Sequence, residues 1–166
     1  MVCSPQFMKE NWKVIPDYPK YFVSDLGRVK RYHVRKTFYT NGYERVGLFL
    51  GHRKYRNKLI HILVLTTFRP NPRPDFYNCV DHINRNTYDN RLSNLRWSNN
   101  VLNKLNSNAR GFCFCKRSRK FKAYLKHHGV EKHLGYFKYS VNARKAYKKA
   151  KREAFKKLDP DQTYDV

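Results

Sequence analysis

Four polar side chains in the middle of the chain have the types and spacing to do chemistry. Asp81 and His82 are adjacent, Asn94 follows after eleven intervening residues, and Asn103 after eight more. Residues 80–103 read V-D-H-I-N-R-N-T-Y-D-N-R-L-S-N-L-R-W-S-N-N-V-L-N, too rich in Asn and Arg to be core. Asp81 offers a carboxylate and Asn103 an amide oxygen, a half-open set of hard donors. Mg²⁺ takes such a set while keeping several of its waters. Asn99 and Asn100 are neighbouring rivals of Asn103 for that place. His82, with an unperturbed pKa near ~6.5, can take a proton from water at neutral pH. Asn94 falls where a loop must be pinned, and its amide can bridge backbone groups across that loop. A cation at a phosphate and its leaving oxygen, with a base for water, amounts to phosphodiester hydrolysis.

These side chains need a scaffold. Residues 79–82 read as a short strand and 95–97 as its antiparallel partner, joined by the polar loop 84–93. Ser98 reads as the N-cap of a helix running to about Leu105. The order strand, loop, strand, helix puts Asp81 and His82 at a strand end and Asn103 on the helix packed against it. Upstream, Pro16 and Pro19 rule out a continuous helix over 9–31, and residues 21–23 favour a strand. Ser24-Asp25-Leu26-Gly27 is a turn, with Gly27 able to take positive φ. The basic residues Arg28, Lys30 and Arg31 behind it could touch phosphate. Residues 43–60 suggest a hairpin turning at 51–54, with Val46, Leu48 and Leu50 on one face. The apolar stretch 61–68 does not separate strand from helix by periodicity, and its β-branched residues lean toward strand. Pro70, Pro72 and Pro74 end whatever precedes them. His61 reads either as a phosphate contact or as a helix-start histidine packed on the domain.

Downstream, residues 107–110 look like a linker. Three strand-like segments follow, 111–116, 121–126 and 132–137, with turns between them that hold His127 and His128. In the middle segment Phe121, Ala123 and Leu125 alternate with Lys122, Tyr124 and Lys126, one face apolar and the other basic and aromatic. A helix then opens at Ser140 as N-cap. It repeats Ala143, Ala146 or Tyr147, Ala150, Ala154 and Leu158 at helical spacing, and Asp159-Pro160 stops it. Its Lys148, Lys149 and Lys151 are expected to face solvent.

The chain has 166 residues and a formal net charge of +24, from 36 basic and 12 acidic side chains. That field suits a polyanion, above all nucleic acid, and poorly suits a small neutral substrate. Residues 109–158 alone hold 17 Lys or Arg against two acidic residues, where a merely solvated surface would mix signs. Cys3, Cys79, Cys113 and Cys115 form no C-x-x-C pair and no disulfide ladder, so structural zinc is not expected and reduced thiols are. The first ten residues lack the apolar centre of a signal peptide, and the apolar run 62–65 is far too short to span a bilayer. The expectation is an intracellular protein, in the cytoplasm or nucleus of its host cell, with no membrane partner.

At the central motif the chain resembles the HNH endonucleases of the ββα-metal class. More closely, it looks like the phage and intron-encoded homing-type subgroup, in which Asp and Asn replace histidine ligands. The residues that carry this are H-I-L-V-L-T-T-F-R-P-N-P at 61–72, V-D-H-I-N at 80–84 and N-R-L-S-N-L-R-W at 90–97, closed by Asn103. The resemblance implies Asp81 and Asn103 as ligands of Mg²⁺ or Mn²⁺, His82 as general base and Asn94 as the loop's brace. It also implies a helix over 61–68 and double-stranded DNA as substrate. Residues 12–31 resemble the module that commonly precedes such nuclease domains. Residues 111–155, with G-F, K-A-Y-L-K, H-L-G-Y-F and A-R-K-A-Y, are similar to the ethylene-response-factor DNA-binding domain, which lays a three-stranded sheet in the major groove. On that likeness Tyr124, Lys126 and His133 face DNA, although the arginines and tryptophans favoured in plant factors are here Lys, Tyr and His.

The expected fold is therefore α+β, with a ββα-metal core between a small β-rich N-terminal module and a C-terminal three-stranded antiparallel sheet plus helix. The expected division is 1–50 accessory module, 51–108 nuclease, 109–158 DNA-binding domain and 159–166 tail. Candidate nucleic-acid contacts are Arg28, Lys30, Arg31, Arg85, Arg91, Lys116, Arg117, Lys122, Tyr124, Lys126 and His133. A single such site attacks one strand, so a monomer would nick, in a setting typical of viral and phage mobile elements. The rival readings are a DNA-binding regulator with an inactive centre, and an RNA binder.

Overall fold

The computed structural model describes residues 9–127, 129–160 and 162. Cys3, His128 and most of the 159–166 tail lie outside the described residues, as does the start of the first ten residues. The fold is mixed α+β, built from several small antiparallel sheets and few helices. The chain divides into two compact units, residues 1–98 and 99–166.

The first unit opens with a three-stranded sheet, β1 (Trp12–Ile15), β2 (Tyr18–Ser24) and β3 (Val29–Lys30), in that order. Gly27, at φ +84°, makes the turn between β2 and β3; a Cβ there would lie 2.9 Å from the Asn90 Cβ, so the turn packs directly on the polar loop. A second sheet follows, β4 (Thr37–Thr40), β5 (Tyr43–Gly51) and β6 (Lys54–Leu59). Its two hairpin turns place Asn41, Gly42, His52 and Arg53 at positive φ, the tight turn whose twist matches the strands. Val46 and Leu48 are fully buried but Leu50 is 46% exposed, against the expectation of one common face. The register shifts between Phe49 and Gly51, and that irregularity turns Leu50 outward.

Helix α1 (Ile60–Phe68) settles the ambiguous apolar stretch in favour of a helix. Ile60, Leu63, Val64 and Leu65 bury into one cluster with Ile15, Tyr21, Val23 and Val29 of the first sheet, Val46 and Leu48 of the second, and Leu95. Burial on several sides explains why the stretch shows no amphipathic period. The cluster also unites residues that the sequence divides at position 50. The unit closes with the hairpin β7 (Cys79–His82) and β8 (Leu95–Ser98), paired Asp81 to Arg96 and His82 to Leu95.

The second unit starts with α2 (Asn100–Leu105). Its cap is Asn99, whose side chain accepts from the Val101 and Leu102 amides at 3.0 Å each. Ser98, the expected cap, is instead a buried strand residue paired with Cys79. The sheet β9 (Phe112–Cys115), β10 (Lys120–His127) and β11 (Val130–Phe137), with β10 central, carries α3 (Ser140–Leu158) on its apolar face. Ala123 and Leu125 meet the buried stripe Ala143, Tyr147, Ala150 and Phe155. The N-cap is Tyr139, one residue before the expected Ser140. Lys151, expected at the surface, is 3% exposed, because its stem lies on the helix's inner face and its Nζ donates to the Ser107 carbonyl at 3.0 Å. Lys148 and Lys149 are exposed. Gly111, at φ +68°, lies so close under Tyr147 that a Cβ would sit 2.0 Å from the ring.

Candidate active site

Strand β7 ends in the two residues that matter most. Alternation along a strand sends adjacent side chains to opposite faces, and here both faces are covered: Asp81 and His82 are each 5% exposed. Asp81 lies across the hairpin from Arg96 and is held by it, with Nε at 2.8 Å and Nη2 at 2.6 Å from the same oxygen, Oδ2. Both partners are buried, so each neutralises the other away from water.

His82 sits among polar and aromatic groups drawn from distant parts of the first unit. Its Nε2 is 3.2 Å from Asn90 Oδ1, and Asn90 Nδ2 donates to Glu44 Oε2 at 2.7 Å. Glu44 also accepts from the Thr37 hydroxyl at 2.6 Å through Oε1. The His61 ring stands edge-on to His82 with centroids 5.1 Å apart, and Tyr43 lies 5.1 Å from His61 and 6.3 Å from His82. Burial first, then the neighbouring His82 and Arg45, push the His61 pKa down to about 4. His61 is therefore a neutral packing partner at physiological pH, and its Nδ1 is buried without a hydrogen bond.

The loop between β7 and β8 is held by its own asparagines. Asn94 Oδ1 accepts from the Asn84 amide at 2.9 Å, and its Nδ2 donates to the Asp89 carbonyl at 2.8 Å. Its backbone carbonyl takes the Ile83 amide at 2.8 Å. Asn84 and Asn86 each fold back on a backbone amide two residues on, at 2.8 and 3.1 Å. Arg91 forks onto Asp89, with both contacts at 2.7 Å, and this holds the Asp89 carboxyl at about 2. The Leu92 amide donates to the Asp25 carbonyl at 2.7 Å, which ties the loop to the β2–β3 turn.

Asn103 stands on α2 in the second unit. Among the described residues, no three His, Cys, Asp or Glu side chains gather as a metal cluster. A carboxylate and an amide oxygen have the chemistry that suits a hard, largely hydrated cation. Both Arg96 contacts fall on Oδ2 of the Asp81 carboxylate.

The basic candidates have varied surroundings. Arg28 pairs with Glu10, and Lys30 Nζ lies 4.1 Å above the Trp12 ring. Arg31 stacks its guanidinium near Tyr21 and Tyr32. Arg85 is exposed on the polar loop, as are Lys116 and Arg117 between β9 and β10. On the face of the β9–β11 sheet opposite α3, Lys122 pairs with Glu131 at 2.8 Å, Tyr124 stands opposite His133, and Lys126 is exposed. Sequence reasoning singled out neither Glu44, Asn90 nor Tyr43. Asn90 was inside the recognised motif, but Glu44 carries no local signal, because its partner is 46 residues away.

Residues 10–49 match the family model described as the NUMOD4 motif. The fold is similar to the HNH homing endonuclease I-HmuI, solved in a study of its DNA binding and cleavage, with a TM-score of 0.54 and 27% identity over 74% of this chain and 76% of that one. An uncharacterised HNH endonuclease of Acanthamoeba polyphaga mimivirus is 37% identical over 107 residues, or 60% of this chain. Both of these similarities are to HNH endonucleases. The chain spans 27% of the length of the viral relative. The NUMOD4 match at 10–49 spans residues 12–31, which resemble the module that commonly precedes such nuclease domains. No described helix is long and apolar enough to cross a membrane.

Proposed function

We propose that the protein is a metal-dependent, homing-type HNH endonuclease that nicks double-stranded DNA. The observation that carries this reading is the buried Asp81–His82 pair at the end of β7, beside a loop braced through Asn94. In the proposal, the Asp81 carboxylate and the Asn103 amide oxygen hold Mg²⁺ or Mn²⁺. When bound, the cation supplies positive charge for the phosphate and the departing 3′ oxygen. His82 accepts a proton from water, the water oxygen bonds to phosphorus, and the P–O3′ bond breaks with its electron pair leaving on the 3′ oxygen. Asn94 keeps the loop in place while this happens. The role given to Asn103 rests on the motif spacing.

DNA would be held by the basic surface. The β9–β11 face with Lys122, Tyr124, Lys126 and His133 is proposed as the groove-reading surface, in the manner of ethylene-response-factor domains. Arg28, Lys30, Arg31, Arg85, Arg91, Lys116 and Arg117 are proposed as phosphate contacts. In this reading residues 1–50, 51–108 and 109–158 have distinct tasks, although 9–98 share one core. A monomer suffices for a nick, and a double-strand cut would take two copies or two events. An intracellular, viral or phage setting belongs to the same reading.

The rival is a DNA-binding regulator with an inactive centre, and the Arg96 ion pair on Asp81 is the observation in its favour. A plasmid assay with Mg²⁺ separates the two. The wild-type protein should convert supercoiled to open-circular plasmid, and His82→Ala should shift the plasmid on a gel without nicking it. If wild type also only shifts it, the nuclease reading fails.

A further inference from the structure

His82 can act as a base only through a ring nitrogen that lacks a proton, and neutral imidazole offers two choices. One polar neighbour of Nε2 bears on the choice. A glutamate carboxylate can only accept hydrogen bonds. Glu44 Oε2 therefore has to receive an N–H from Asn90, and the 2.7 Å contact is with Asn90 Nδ2. That orientation turns the amide oxygen, another pure acceptor, toward His82 Nε2 at 3.2 Å. The nitrogen facing it has to carry hydrogen. Thr37, donating to Glu44 Oε1 at 2.6 Å, holds the carboxylate from the other side. Asn90 is 4% exposed, so water does not readily substitute for either partner.

We propose that Glu44, acting through Asn90, is a positioning residue that locks His82 in the Nε2–H tautomer and so makes Nδ1 the nitrogen that accepts the proton. The inference takes the nuclease reading of His82 as given, but the tautomer itself can be measured without any reaction. The relay crosses the first unit, because Thr37 and Glu44 belong to β4 and β5 while Asn90 and His82 belong to the polar loop and β7. Glu44 stands opposite Tyr39 in the β4–β5 ladder, so its side chain is aimed by sheet register rather than by a loop.

The relay is also reversible by chemistry. Removing Glu44 frees the Asn90 amide to flip and offer its N–H₂ to His82, which would favour the other tautomer. Replacing Asn90 by aspartate then restores a permanent acceptor that needs no Glu44 to orient it. A merely structural role for Glu44 would not be rescued in this way.

The primary measurement is the nitrogen-15 shift pair of His82 in the full-length, metal-free protein at a pH where the ring is neutral. The expected result is a protonated-type signal for Nε2 and an unprotonated-type signal for Nδ1; the reverse assignment in wild type overturns the proposal. In the nicking assay, Glu44→Ala should lose roughly 10- to 100-fold in rate, the usual cost of removing a group that orients a functional side chain. Glu44→Ala/Asn90→Asp should recover most of that loss along with the Nε2–H signal. A double variant that folds, as judged by circular dichroism, but stays as slow as Glu44→Ala also overturns it. Should wild type not cleave at all, the nuclease reading falls while the tautomer measurement still decides the relay.

Discussion

Arg96 and His61 show how much the site depends on charge management at single side chains. The Asp81–Arg96 pair is buried on both sides, and removing one partner would leave the other as an uncompensated buried charge. Arg96→Met should therefore destabilise the protein by roughly 3–5 kcal/mol, read as a lowered urea midpoint. His61 gives a pH signature. Its pKa is lowered from 6.5 to about 4 in the folded protein, first by burial, so between those values the unfolded chain binds the extra proton. Stability then rises with pH across that window, is complete above it, and is reduced by about 3 kcal/mol at its acid end. Urea midpoints measured from pH 7 down to pH 4.5 should show this fall, and His61→Phe should flatten it.

At the scale of elements, Asn99 is a clear test. Its side chain satisfies two amide donors at the start of α2, so Asn99→Ala should cost about 1 kcal/mol, whereas Ser98→Ala should not act through the cap. Thermal melting of the two variants distinguishes them. The one-residue error over this cap has a plain cause. Ser98, Asn99 and Asn100 are all polar, cap-competent or loop-prone residues in series, and only the pairing of Ser98 with Cys79 assigns Ser98 to the strand. Periodicity leaves helix α1 undecided for a related reason, and only the family resemblance implies it: Ile60, Leu63, Val64 and Leu65 are all buried in one cluster, which erases the pattern on which a helix is read. The strands β7, β8 and β10 were legible because one face of each alternates or a turn brackets it. Strand β4 went unread, since Thr37–Thr40 has meaning only through its register with β5. The adjacent Asp81 and His82 could be found by spacing, but the groups that hold them could not. Arg96 reaches Asp81 through strand register, and Glu44 reaches His82 across 38 residues of chain by way of Asn90.

For the whole molecule, the net charge of +24 makes affinity for duplex DNA a counterion-release problem. Binding measured across a range of salt concentrations should fall steeply, with log affinity linear in log salt. The cations are not equivalent. Lys116→Gln should reduce the slope by about 1, because its exposed ammonium is one of the proposed phosphate contacts. Arg91→Gln should change the slope less, since its guanidinium already serves Asp89. Equal slopes for the two variants would count against Lys116 as a phosphate contact.

The apolar cluster of the first unit also bears on how such proteins can be recombined. Modules are usually imagined as beads that exchange at their junctions, and the end of the NUMOD4 match at residue 49 invites such a cut. A splice there would part Val46 and Leu48 from Ile60, Leu63, Val64 and Leu65, and would sever Glu44 from Asn90. A chimera joined at that point inherits half a core and an unanchored histidine. The transferable piece has to run from residue 9 through α2, so that Asp81 and Asn103 travel together, and a swap of sequence preference between relatives should be attempted only beyond Leu105.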